Sequence, residues 1–411
     1  MLEKKSYRHT AKGEEIMFTL ERFYLSLLII FTLLAVCFLS GCKGSQRDFS
    51  KGKDSGTSII SVDSAFNIKE RLGKLLFFEK NLSTPPGQAC STCHSPEIAF
   101  ADPESDLPVS KGARPGLYGS RNDMTITYVA FVPPLHHNKE EGIWVGGLFW
   151  DGRANSLAEQ AQGPLLNPLE MANPDTLTIA KKLRALSYAA LFTEAYGLDA
   201  LSNPDTAFTN MADAIEAYEK TSEVSPFSSK YDSWLRGETE LSMQELRGLK
   251  LFEAEDKGNC AACHPSRPAE DDSPPLFTDF TYDNLGTPRN PENPFYSLPS
   301  ELNPDGFAFV DLGLGKTVND PAQNGKFRVP TLRNVAITPP YMHNGVFKTL
   351  FNVMAFYNTR DVAEWPAPEV SANVNMEELG DLGLTNQELE DLVAFLRTLT
   401  DHWNEFDSNQ Q

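Results

Sequence analysis

Cys90-Ser91-Thr92-Cys93-His94 and Cys260-Ala261-Ala262-Cys263-His264 decide the reading of this chain. C-x-x-C-H is the attachment pattern for a c-type haem. Two thiols at that spacing reach the two vinyl groups of one porphyrin, and the following His is placed under the iron. Given this composition, chance predicts about 0.0015 such motifs, and the chain has two. A zinc site or a redox dithiol are the rival readings. A four-Cys zinc site leaves both histidines unexplained.

The flanks of the motifs repeat as well. Arg71-Leu72-Gly73-Lys74-Leu75-Leu76-Phe77-Phe78 precedes the first and Arg247-Gly248-Leu249-Lys250-Leu251-Phe252 the second. Each reads as a helix ending shortly before its motif. Ser242 and Glu245 form a capping box for the second helix. Thr385 and Glu388 form another, ahead of Leu389, Leu392, Val393, Leu396 and Leu399 at helical spacing. Cytochrome c folds pack their first and last helices together over the haem. The expected fold is therefore mainly α, with two tandem cytochrome c-like haem domains and long ordered loops. The N-terminal domain spans 62–238 and the C-terminal domain 239–411, with the junction at Arg236-Gly237-Glu238. The Pro-rich stretch from Pro265 to Pro304 is expected to form a loop wall of the second haem.

With 411 residues, 41% hydrophobic and 22% charged, the chain is long enough for more than one real core. It carries 36 Lys and Arg against 56 Asp and Glu, a net charge of −20. That excludes a nucleic-acid binder, which needs clustered cations, and leaves room for a basic protein partner. Residues 1–41 read as a signal peptide with a lipobox. Phe23 to Leu39 is almost wholly apolar, follows Arg22 and ends Leu39-Ser40-Gly41-Cys42. The ending resembles the bacterial lipobox, which makes Cys42 the lipidated first residue of the mature chain; an uncleaved anchor is the alternative. Residues 42–61 then form a flexible tether. The expected location is the periplasm or cell envelope, with membrane contact only through the lipid.

Further motifs resemble the bacterial dihaem cytochrome c peroxidase family, which includes the MauG-type enzymes. They are Phe149-Trp150-Asp151-Gly152-Arg153, Glu159-Gln160-Ala161, Asn167-Pro168-Leu169-Glu170-Met171, Phe327 to Val335, and Pro340-Tyr341-Met342-His343-Asn344-Gly345. The likeness runs from about Ala65 to Asp401. It implies covalent haems on Cys90 and Cys93 and on Cys260 and Cys263, with His94 and His264 as iron ligands. It implies that Gln160 and Glu170 line a peroxide pocket at the first haem, where a carboxylate moves a proton between the peroxide oxygens and an amide orients them. Trp150 matches the family's indole between the haems. Asn122, Thr338 and Pro340 match calcium ligands, an oxygen set that suits that ion.

Two departures from the peroxidase pattern matter. Many of these peroxidases carry a His in a loop that here reads Leu107 to Gly116 and has none. The nearest histidines, His136 and His137, sit in a polar segment expected to face solvent, so the first haem is expected to be open. The peroxidases also place a Met over the second haem; the matching position here is Tyr357, as in MauG-type enzymes, with Met354 or Met342 as alternative ligands. The resemblance thus implies a peroxidase that reduces hydrogen peroxide with electrons from a small c-type cytochrome or cupredoxin. The alternative is a MauG-type oxidase that modifies Trp or Tyr of a partner protein. A dihaem electron carrier is the third reading, disfavoured by Gln160 and Glu170. A homodimer is compatible with all three.

Overall fold

The structure, a computed structural model, describes residues 66–403. The leader, Cys42 and the tether lie outside these residues. All those described fall within one unit of the chain, 63–411.

Helices dominate, and the sequence starts them with side-chain caps. Asn67 accepts hydrogen bonds from Lys69 N and Glu70 N, while its own N–H donates to the Glu70 carboxylate, opening α1 (Ile68–Phe77). A short turn of helix, α2 (Cys90–Cys93), carries the first thiol pair. Then come α3 (Leu157–Leu166), α4 (Thr176–Ala185), α5 (Ala190–Tyr196), α6 (Pro204–Glu219) and α7 (Lys230–Leu235). The expected Ser242–Glu245 and Thr385–Glu388 capping boxes are formed, and they open α8 (Met243–Glu253) and α11 (Asn386–Arg397). Between them lie α9 (Leu314–Val318) and α10 (Leu350–Thr359). Strands are few. Strand β1 (His136–Asn138) pairs antiparallel with β2 (Ile143–Val145), and β3 (Tyr282–Asp283) pairs antiparallel with β4 (Phe327–Arg328). Among the described residues no helix is long and apolar enough to cross a membrane.

Apolar side chains gather in two large clusters. Leu72, Leu76 and Phe77 of α1 pack with Ile179, Leu183, Met211, Ile215 and Tyr218. Phe252 of α8 packs with Tyr231, Phe277, Phe356, Leu392, Phe395 and Leu396. The repeated sequence before each thiol pair explains the likeness of the two clusters. Its glycine is the point where two helices cross: a Cβ on Gly73 would overlap the Ala214 carbonyl of α6, and one on Gly248 the Asp391 carbonyl of α11. Four residues on, Phe77 and Phe252 fill the floor beneath the crossing. Helix α7 precedes the 236–238 turn, yet its Tyr231 belongs to the second cluster.

A buried ion pair joins these parts. Arg333 is fully buried and makes two bonds to Asp232, at 2.8 and 2.9 Å, and a third to the Pro275 carbonyl at 2.8 Å. Its guanidinium also lies over the rings of Tyr128, Phe227 and Phe277. Burial works against the Arg333 charge, but Asp232 outweighs it and holds the group firmly protonated; the same contact holds the Asp232 carboxyl below its usual range. Asp401 accepts hydrogen bonds from Tyr128 and Asn334, so the segment just after α11 is tied to the same knot. Removing one partner of such a pair strands the other charge, at about 3–5 kcal/mol. Arg333→Met should lower unfolding free energy by about that much in denaturant titration. Adding Asp232→Leu should restore most of it, because no charge is then stranded.

Candidate functional site: two thiol-pair centres and the cavity between their segments

Each C-x-x-C-H motif ends in an imidazole held by a backbone carbonyl. His94 Nδ1 lies 3.1 Å from the Phe100 oxygen, and His264 Nδ1 lies 2.7 Å from the Phe277 oxygen. Nδ1 therefore carries the proton in both, and Nε2 is the nitrogen left to ligate. Both phenylalanines have left-handed backbone, φ +55° and +53°. That conformation is costly for a bulky residue, and it turns each carbonyl toward its imidazole. Burial lowers the His264 pKa to about 4, keeping the ring neutral as a metal ligand must be.

The donor chemistry fits thioether attachment and not the rivals. Burial pushes the Cys90, Cys260 and Cys263 thiols up to about 12, and the Cys93 thiol also rises. A redox dithiol needs a lowered thiol pKa. Among the described residues, the one group of three or more potential metal-binding atoms is Cys93, Asp102 and Asp123, so the four thiols do not converge on one ion. Two neutral thiols on one turn, with an imidazole whose Nε2 is left to ligate beside them, match the needs of a covalently held haem.

Around the first motif the structure assembles a carboxylate pocket. Ser156 caps α3, which carries Gln160, half-buried, on its second turn. The helix ends at Asn167, and the Asn167 side chain donates to the Glu170 carboxylate at 3.0 Å. The Glu170 carbonyl accepts from Ala113 N at 2.7 Å. Glu170 is thus clamped by the 107–116 loop, the segment that lacks a His. That loop is itself tied down, because Ser110 donates to Asp102 and Gln88 donates to the Lys111 carbonyl. Burial, then the Asp123 charge, push the Glu170 pKa up to about 7, against Arg153 and Asn167, which pull it down. Glu170 also lies close enough to Cys93 to raise that thiol's pKa. His136 and His137 are exposed on the β1–β2 hairpin, as the polar segment predicts.

Trp150 stands on the wall of a cavity of about 100 Å³ between the segments that follow the two motifs. Its Nε1–H donates to the Asn122 carbonyl at 2.8 Å, and its own carbonyl accepts from Arg328 N. The Asn122 amide reaches the Pro340 carbonyl at 2.6 Å and the Met342 carbonyl at 3.3 Å. Thr338 lines the same cavity, so the three expected calcium residues are neighbours. A half-turn of the Asn122 amide aims its oxygen where its nitrogen now points.

At the second motif, Tyr357 on α10 is half-buried near both cysteines. Burial, with Cys260, Cys263 and Asp283, raises its phenol pKa and holds it neutral. Its hydroxyl lies 4.0 Å from the Met342 sulfur, so two of the expected ligand choices meet. Met354, the third, packs in the second apolar cluster.

The sequence reading gave no role to Asp123 or to the Phe100 and Phe277 carbonyls. Asp123 is a half-buried acid within reach of Cys93, His94 and Glu170, and burial raises its pKa. The pairs Phe100-Ala101-Asp102 and Phe277-Thr278-Asp279 are a faint repeat that could have revealed the carbonyls. Nothing in sequence marks Asp123, because only folding brings it to Cys93.

A family profile described as di-haem cytochrome c peroxidase matches residues 67–240. The chain is 41% identical over 349 residues to the methylamine utilization protein MauG of Paracoccus denitrificans, covering 80% of this chain and 88% of that protein. It is 30% identical to the cytochrome c551 peroxidase of Pseudomonas aeruginosa, covering 81% and 78%. The crystal structure of the diheme peroxidase BthA from Burkholderia thailandensis is similar, with a TM-score of 0.74 at 37% identity, over 81% of this chain and 86% of that one. With two such motifs, and relatives matched along most of their length, the chain belongs to the di-haem cytochrome c peroxidase family of oxidoreductases.

Proposed function

We propose that the protein reduces hydrogen peroxide to water at the first motif, with electrons from a small c-type cytochrome or cupredoxin entering at the second. The observation that carries this reading is Glu170, a clamped carboxyl brought to about 7 by burial beside the first thiol pair. Bound haems, held by Cys90 and Cys93 with His94 and by Cys260 and Cys263 with His264, supply the redox equivalents. Glu170 takes the proton from one peroxide oxygen and delivers it to the other, which departs as water with the electron pair of the O–O bond; two electrons from the redox partner and two further protons turn the oxygen left behind into a second water. Gln160, on the helix that leads into the Glu170 turn, orients the peroxide. A carboxyl near 7 can both take and return a proton at neutral pH. Trp150 is the bridge for electrons across the cavity wall. Two N-terminal and C-terminal haem domains, a calcium ion at Asn122, Thr338 and Pro340, and a lipid on Cys42 in the periplasm complete the proposal.

A second reading, a MauG-type oxidase acting on Trp or Tyr of a partner protein, is favoured by Tyr357. A phenol sits near the second thiol pair, its hydroxyl 4.0 Å from the Met342 sulfur, and the 107–116 loop has no His to block the first. The phenol is neutral in the protein alone, so ligation as phenolate requires the ferric charge.

Three outcomes test these readings. Glu170→Gln should slow peroxide consumption by about 10²–10⁴-fold with both haems retained; normal turnover rules out the proton-transfer role. In the unmodified protein the peroxide rate should climb with pH through about 7, as Glu170 loses its proton, and that rise should vanish in the Gln variant. Stopped-flow mixing of peroxide with the fully oxidised protein should change the haem spectrum without prior reduction; a response that needs one haem reduced first points to a blocking ligand and a reductively activated enzyme. Steady turnover with a reduced cytochrome then separates the peroxidase from the partner-modifying oxidase.

A further inference from the structure

Charged arginines in this protein's interior come with carboxylates. Arg121 pairs with Asp151 and Asp311 at 2.8 and 2.6 Å, Arg333 with Asp232, and Arg360 with Asp361. Arg328 is the exception. It is buried, and its head group meets only the Phe149 carbonyl at 3.3 Å and the Met124 sulfur at 3.7 Å. A thioether is a weak acceptor and brings no negative charge. Among the described residues no carboxylate lies within ion-pair distance of Arg328; Asp123 lines the same cavity without pairing with it, and the Tyr282 phenol nearby is neutral because burial raises its pKa. A buried cation without an anion is strongly disfavoured, so the site is built for an anion from elsewhere.

Its position identifies that anion. Arg328 lines the cavity next to Trp150 and Asn122. Its strand β4 is bonded to the segment that holds His264. Val329 N donates to the Thr281 carbonyl at 2.8 Å, Thr278 Oγ1 donates to the Val329 carbonyl at 2.7 Å, and the Phe277 carbonyl takes the His264 ring proton. A c-type haem is tethered at its vinyl edge and presents two carboxylates at the opposite edge. We propose that Arg328 is the counter-ion of a propionate of the C-terminal haem and fixes that edge of the macrocycle beside Trp150. The proposal rests on the two-haem reading above. Arginine suits the role because its planar fork matches a carboxylate, which lysine's point charge does not.

The test uses purified holoprotein with Arg328→Gln and Arg328→Lys, read by resonance Raman bands of the propionates and by redox titration of each haem. Removing a cation favours the ferric state. Arg328→Gln should therefore shift the ferric-to-ferrous ratio of the C-terminal haem at fixed potential by roughly tenfold, about 59 mV downward for one electron, and displace its propionate band. Arg328→Lys should keep the potential near that of the unmodified protein while still displacing the band, and it decides the matter if the Gln variant does not accumulate. An unmoved propionate band in either variant, with both haems bound, overturns the proposal. So does a Lys variant whose potential falls as far as that of the Gln variant. A pyridine haemochrome assay showing one haem per unmodified chain overturns it together with the two-haem reading; two haems and an unmoved band overturn it alone.

Discussion

The imidazole of each C-x-x-C-H motif is tied at Nδ1 to the carbonyl of a phenylalanine held at positive φ, and much of the structure serves that contact. A ligand whose ring turns freely would lose its aim at one metal position. The carbonyl removes that freedom and selects the tautomer. The unfavourable phenylalanine conformation, of order 1–3 kcal/mol, persists because the ring is locked in a core. Phe277 is enclosed by Tyr231, Phe252 and Phe395, and Phe100 sits against Phe77. Arg333 then lies over Phe277 and pins the turn through Pro275.

Interior electrostatics divide the protein into structural and chemical parts. Arg333 with Asp232, and Arg121 with Asp151 and Asp311, are matched charges that hold segments together. Near the first thiol pair the balance differs. Glu170, Asp123 and Asp102 gather where the nearby cation, Arg153, is half in solvent. Burial and neighbouring charge make Glu170 and Asp123 resist ionisation, so the Glu170 carboxyl can hold or release a proton near neutral pH. The same burial that makes the pocket costly to build is what makes its carboxyl useful.

Local sequence carried a large share of the fold. The two capping boxes, the helix before each thiol pair and the helical spacing from Leu389 to Leu399 were legible because each depends on residues three or four apart. The glycine of the repeated segment was visible as a letter, but its reason was not. Gly73 and Gly248 are small because α6 and α11 cross there, and the crossing partners lie more than a hundred residues downstream. Arg333 was part of a recognisable motif, yet its partner Asp232 lies in α7, in a stretch without a pattern of its own.

By itself the sequence marked four thiols and two histidines as two repeated C-x-x-C-H centres, since that pattern is complete within five residues. It also pointed to Gln160, Glu170, Trp150 and Tyr357 through the ordered family motifs. Only the tertiary structure decided how these residues are tuned. The rise of Glu170 toward 7 comes from burial and from Asp123, far away in the chain. The meeting of Tyr357 with Met342 depends on how α10 folds back over its own loop. The unmatched charge of Arg328 exists only because β4 carries it into a cavity where, among the described residues, no carboxylate comes within ion-pair distance of it. Ligand identity is a short-range property of the chain, whereas proton affinity and charge balance are sums over everything that folding brings near.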